Sequence, residues 1–230
     1  MKTLGIVGGI GPESTIVYYR EIIAGFRARE ADQNYPHLII NSISVQTFLG
    51  MMFAGQLAAA TDFLAAEIER LERAGADLAL LASNTPHIVF DELRRRSNIP
   101  LVSIVEATCD HILKLGMSRV ALFGTRYTMQ GGFYPPVFAA AGLTIVLPSD
   151  ADQDYIHQKY IGELVENIIK PETRDGLLAV IDHMKTSDAI EGVILGGTEL
   201  PLILTEESHN GIPLLDTAKI HAAAAVEKMF

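Results

Sequence analysis

Two short apolar runs end in side chains that can bind an acid or move a proton. DLALLASNTPH (residues 77–87) delivers Ser83, Asn84 and Thr85, and EGVILGGTEL (residues 191–200) delivers Gly197, Thr198 and Glu199. An amide, a hydroxyl and the unpaired N–H groups of a starting helix form a donor set suited to a carboxylate. Thr125 holds the equivalent post after RVALFG. Asn84, Thr85, Thr125 and Thr198 are thus expected to grip both oxygens of a small acid; the competing use of each residue type is to cap its helix. For proton transfer Glu199 is the candidate carboxylate, although a group of ordinary pKa about 4.3 is a weak base towards a carbon-bound proton. His87, Tyr127 and His157 are further titratable candidates, and at each of them helix packing or capping competes with chemistry.

The elements that must position these groups read as alternating strands and helices. Residues 3–7, 38–45, 78–82, 101–105, 119–124, 144–147 and 191–196 read as strands. Helices are expected over 54–75, from Pro86 onward, around Cys109, over 160–169 and 176–184, and in the closing AKIHAAAAVEKM. Tyr134, Pro135 and Pro136 read as a turn. Each crossover helix covers a sheet face, so the pattern predicts an α/β fold with mainly parallel sheets. Gly8 and Gly124, Ser83 and Gly197, and Pro100 and Pro213 recur at a nearly constant spacing, which predicts two similar lobes. The expected division gives residues 1–100 plus 210–230 to the first lobe and 101–209 to the second. Ligands favour a cleft between such lobes, because the carboxyl ends of both sets of strands can converge there.

Composition narrows the function class. The chain has 230 residues, 49% of them hydrophobic, which is ample for real cores. A formal charge of −10 without a basic patch argues against nucleic acid as a partner. No apolar run approaches the roughly 18 residues of a membrane span, and the N-terminus runs straight into a strand, so a cytoplasmic protein with no membrane partner is expected. The lone Cys109 makes no internal disulfide and reads as a small helix-packing residue. No H-E-x-x-H or C-x-x-C pattern predicts a metal. GGIGPEST (residues 8–15) lacks both the G-x-G-x-x-G spacing and the Walker lysine, so it reads as a structural turn bordering a ligand rather than a nucleotide loop.

GGIGPEST at the start, SNTPH after the third strand, FGTR in the second half, and LGGTELPLIL followed by IPLLDT together resemble the aspartate/glutamate racemase family over nearly the whole chain. That resemblance implies two pseudo-symmetric Rossmann-like lobes around an interlobe active site and no cofactor. The chemistry it implies removes the α-hydrogen of an amino acid from one face and returns one to the other. Two cysteines normally flank the substrate, in C-N-T and G-C-T motifs. Here Ser83 and Gly197 stand in their places. A thiol of ordinary pKa about 8.5 is readily activated, whereas a serine needs a strong partner and glycine offers no acid or base. The two-thiol mechanism is therefore excluded.

What carries over is the binding set. Asn84, Thr85 and Thr198 would hold carboxylate oxygens, Thr125 would border the substrate, Gln46 would fall near its side-chain acid, and Lys159 would supply a positive charge unless it is simply a solvated helix lysine. The expectation is a cofactor-independent racemase-like protein acting on aspartate, glutamate or a related small carboxylate by α-proton exchange, with Ser83 and Glu199 as the catalytic candidates and no metal. The alternative is a catalytically inactive carboxylate-binding homologue; decarboxylase or cis–trans isomerase chemistry, which can use one thiol, lacks its group at both motifs. Resemblance also implies a possible homodimer.

Overall fold

The computed structural model describes residues 1–30 and 34–230. They divide into two units, Met1–Ala107 with Ala218–Phe230, and Thr108–Thr217. In the first unit β1 (Leu4–Gly8), α1 (Pro12–Arg27), β2 (Leu38–Ser42), α2 (Val45–Phe53), α3 (Leu57–Arg73), β3 (Leu78–Leu81), a 3-10 turn (Thr85–Val89), α4 (Phe90–Arg96) and β4 (Leu101–Val102) follow one another. After α5 (Ile104–Lys114) come β5 (Arg119–Gly124), α6 (Arg126–Gln130), α7 (Tyr134–Ala140), β6 (Thr144–Val146), α8 (Asp150–Lys159), a π-helical turn (Tyr160–Leu164), α9 (Pro171–Ser187), β7 (Gly192–Gly196), α10 (Leu200–Ile203), β8 (Ser208–His209) and β9 (Ile212–Asp216). The last element is α11 (Thr217–Met229).

Each unit is built on one sheet, ordered β2-β1-β3-β4 in the first and β6-β5-β7-β9-β8 in the second. Every pairing is parallel except β8 with β9. The fold is thus α/β with two mostly parallel sheet-containing lobes. β1 and β3 are buried along their whole length, as are β7 and all but the first residue of β5, which is why these strands read as continuous apolar runs. In the first unit Tyr18, Ile22 and Phe26 of α1 and Ala222, Val226 and Met229 of α11 cover one sheet face, while α2, α3 and α4 supply Phe48, Leu64, Ile68 and Leu93 to the other. In the second unit Ile156 of α8 and Leu177, Ile181 and Met184 of α9 pack on Phe123, Val193 and Leu195.

The strand orders share a consequence. Within each sheet the chain leaves the central strand to one side and returns to the other, so the order reverses between β1 and β3 and again between β5 and β7. Ligands of open α/β sheets bind outside the carboxyl strand ends at such reversals. Gly8–Gly9 and Ser83–Thr85 lie at the first, Thr125 and Gly197–Glu199 at the second.

The structure departs from the sequence reading in several places, among them the strand read over 101–105, which ends at Val102 with Ile104 already in α5. β2 stops at Ser42, and Val45 already belongs to α2. The helix expected over 160–169 begins upstream as α8 and ends in the π-helical turn Tyr160–Leu164; the Ser149 hydroxyl accepts from the Asp152 N–H at 3.2 Å and fixes its start. Tyr134–Ala140 is a helix rather than a turn, because a proline in the first helical turn needs no N–H partner. The chain leaves each unit at a helix rather than at the Ile-Pro turns: β4 follows Ile99-Pro100 and completes the first sheet, and β9 contains Ile212-Pro213 and joins β7.

Candidate functional site

The first unit gathers Gly9, Gln46, Ser83, Asn84 and Thr85 at one sheet edge. Gly9 turns the chain at φ 79, and a Cβ there would lie 2.3 Å from the Ile43 carbonyl oxygen, so only glycine fits. Its N–H donates to the Thr15 hydroxyl at 2.8 Å. The buried Ser14 hydroxyl donates to the Ala82 carbonyl at 2.5 Å, tying α1 to the residue before Ser83. GGIGPEST thus spends its hydroxyls on holding the neighbouring loop.

That loop is held from behind as well. His87 Nδ1–H donates to the Ser83 carbonyl at 3.0 Å, and its Nε2 accepts from the Ile104 N–H at 3.1 Å. Burial first, and then the adjacent His221 ring, push His87 well below its ordinary pKa. His221 is wedged in turn between the Tyr18 hydroxyl, 2.7 Å from Nδ1, and the Val102 carbonyl, 3.0 Å from Nε2, and burial brings it down to about 4. Both imidazoles are neutral and fully bonded, which makes His87 a brace for the Ser83 turn rather than a free base. Asn84 is buried, while Ser83 and Thr85 are half-buried and their hydroxyls find no partner among the described residues. Gln46 is exposed in the first turn of α2.

In the second unit Thr125 caps α6, its hydroxyl accepting from the Thr128 N–H at 3.3 Å. His157 Nδ1 accepts from the Arg126 N–H at 3.2 Å, and partial burial with the Arg126 charge lowers its pKa. Lys159 is committed to Glu163, 2.7 Å away, and the bond to that carboxylate raises its pKa. Glu163 also receives Lys170 at 3.2 Å and the Thr173 hydroxyl; Lys159, Thr173 and Lys170 together hold its carboxyl down to about 2.

Thr198 and Glu199 meet a residue that the sequence did not single out. The Tyr160 hydroxyl donates to Glu199 Oε2, which also accepts from the Thr198 hydroxyl at 2.9 Å. Burial, followed by the Glu199 charge, pushes the Tyr160 phenol well above its usual range. The ring fills the space beside Gly197: a Cβ built there would stand 2.4 Å from Cε2, 2.6 Å from the phenol oxygen and 2.8 Å from Cζ. A side chain at 197 and the Tyr160 ring in this place exclude each other. The only available signal in the sequence was the missing volume at Gly197, which does not say what replaces it.

Cys109 is buried in α5. Among the described residues no group of three or more His, Cys, Asp or Glu side chains is placed to hold a metal ion, and no helix is long and apolar enough to cross a membrane.

Comparison with known proteins gives a match to Asp/Glu/Hydantoin racemase over residues 7–225. The broad specificity amino-acid racemase RacX of Bacillus subtilis (strain 168) is 25% identical over 235 residues, covering 97% of this chain and 96% of that protein. A crystal structure of an aspartate racemase homologue from Pyrococcus horikoshii OT3 superposes with a TM-score of 0.85 at 37% identity, covering 100% of this chain and 99% of the other. A candidate Asp/Glu racemase from Yersinia pestis gives 0.91 at 31% identity, with coverages of 100% and 99%.

Proposed function

The chain belongs to the Asp/Glu/Hydantoin racemase family, and from that premise we propose that it binds a small carboxylate without racemising it. The two-cysteine route is excluded, since the chain has a single cysteine and Ser83 and Gly197 hold the positions of the family pair. The observation that carries the reading is Tyr160: the space a second thiol needs is filled by a buried ring whose hydroxyl is bonded to Glu199. A position merely stripped of its sulfur would leave a gap; this one has been repacked.

The proposed binding residues stand at the strand ends of each unit, Gln46, Asn84 and Thr85 in the first and Thr125 and Thr198 in the second. The hydroxyls of Ser83 and Thr85 have no partner among the described residues, which supports this set, because half-buried donors of that kind are available to a ligand oxygen. Lys159 is the weakest member, because Glu163 already engages its ammonium.

A second reading, α-proton exchange by Ser83 and Glu199, draws support only from the placement of Glu199 beside Thr198. Oε2 of that carboxylate already accepts from two hydroxyls of the protein, those of Tyr160 and Thr198, so the group is engaged internally. The purified protein is incubated with L- and D-aspartate and L- and D-glutamate in D₂O, with binding followed by calorimetry. Saturable binding without deuterium at Cα is the expected result. Deuterium at Cα with loss of optical purity establishes the second reading instead, and no binding of any small acid overturns both.

A further inference from the structure

We propose that Tyr160 is a plug that sets the size limit of the acid accepted at the second unit's strand ends, an inference resting on the carboxylate-binding reading. The π-helical turn is what delivers it. The Val165 N–H reaches back to the Tyr160 carbonyl at 3.0 Å and the Ile168 N–H to the Glu163 carbonyl at 2.8 Å, both five residues apart. Such a turn inserts one residue into the helical register and re-aims the side chains at its start; it occurs mostly at functional sites. Here it turns Tyr160 inward, 6% exposed, and leaves Ile161, Val165 and Ile168 outside.

Glu163 fixes the turn. Its carboxylate lies within the inserted turn and is held at once by Lys159 before it and by Lys170 and Thr173 after it. Tyr160 is fixed at its far end by Glu199, next to Thr198. The ring is therefore clamped at both ends, and its hydroxyl meets the side chains of Glu199 and Thr198 and the Glu199 backbone. Taking it away leaves strand β7 intact and opens a void beside Gly197 and Thr198. That void has the shape of a phenol, with Glu199 and Thr198 at its polar end, and a cavity on the order of 150 Å³ admits a small aromatic molecule. An acid carrying a bulky substituent on the carbon next to its carboxylate meets the ring in the native protein and the void in its absence.

The test uses Tyr160→Ala, with Tyr160→Leu as the milder variant should the first not fold. Thermal melting with and without p-cresol reports the void, and calorimetry compares succinate with phenylsuccinate, which carries the same two carboxylates. Expected are a p-cresol-dependent rise in Tm in the variant alone, and a native preference for succinate of about tenfold or more, the scale of an overpacked contact, that shrinks in the variant. An unchanged preference in a variant that does take up p-cresol overturns the size limit while leaving carboxylate binding standing. Absence of succinate binding to the native protein overturns the parent reading and this one together. Glu163→Gln, which removes the charge that gathers Lys159 and Lys170, is expected to shift the preference in the same direction; an unchanged preference there overturns its role in positioning Tyr160.

Discussion

Gly197→Cys restores a family sulfur and tests whether Tyr160 has taken its place. Cβ alone would approach two Tyr160 ring carbons at 2.4 and 2.8 Å and the phenol oxygen at 2.6 Å, against about 3.5 Å for unstrained heavy-atom contact. The ring must withdraw by about 1 Å inside a packed core, an overpacking cost of about 1–3 kcal/mol. If it swings clear, the bond to Glu199 is lost as well, and a hydrogen bond to a charged group contributes about 1.5–3 kcal/mol. Gly197→Cys alone is therefore expected to destabilise by about 2–4 kcal/mol. Tyr160→Ala alone removes a large buried side chain and costs about 3–5 kcal/mol. Together the thiol occupies vacated space, the clash disappears, and the double variant is less destabilised than the sum by about 2 kcal/mol. Urea unfolding followed by circular dichroism and, since the chain has no tryptophan, by tyrosine fluorescence gives all four stabilities. Gly197→Ala serves as the control, because its Cβ makes the same contacts without sulfur. Costs that add to within about 0.5 kcal/mol would refute the claim that one space is being contested.

Acid should weaken the native state through its buried imidazoles. His221 has an ordinary value of 6.5 and a native value of about 4, so between those limits the unfolded chain binds a proton that the native state refuses. Stability falls as pH drops through that window, by about 3 kcal/mol for this group, with His87 acting in the same direction. A His221→Gln protein should show a shallower fall between pH 6.5 and 4 in urea midpoints, and an equally steep one would contradict the assignment. Thr85→Ala and Thr198→Ala should each weaken succinate binding by about 1–3 kcal/mol in calorimetry if water does not replace the hydroxyl; unchanged affinity in both rejects the proposed binding set. Ser14→Ala strips the donor from the Ala82 carbonyl and should cost about 1–3 kcal/mol in urea unfolding, and a neutral result would show that the carbonyl finds another partner.

The sequence on its own determined the layered α/β fold, the strands that matter, and the absence of both sulfurs. Those features are local: buried parallel strands must be apolar along their length, as Arg119–Gly124 and Gly192–Gly196 are after their first positions, and the motif residues follow each strand directly. The helix at Asp150–Lys159 was missed because its apolar anchors are few and its start depends on Ser149, while of the apolar residues over 160–169 the π-helical turn buries Tyr160 and Leu164 and leaves Ile161, Val165, Ile168 and Ile169 at the surface. Tertiary structure alone decided what stands beside Gly197. Glycine records that a side chain is gone, but the ring that fills its space comes from a residue 39 positions away from Glu199 in the chain, where no periodicity or motif connects the two. The same holds for His87, whose intrinsic chemistry suggested acid–base work; burial between carbonyl and N–H partners makes it, like the neighbouring His221, a neutral brace. Residue type sets what a group can do in water, and only packing decides whether any of that capacity is left.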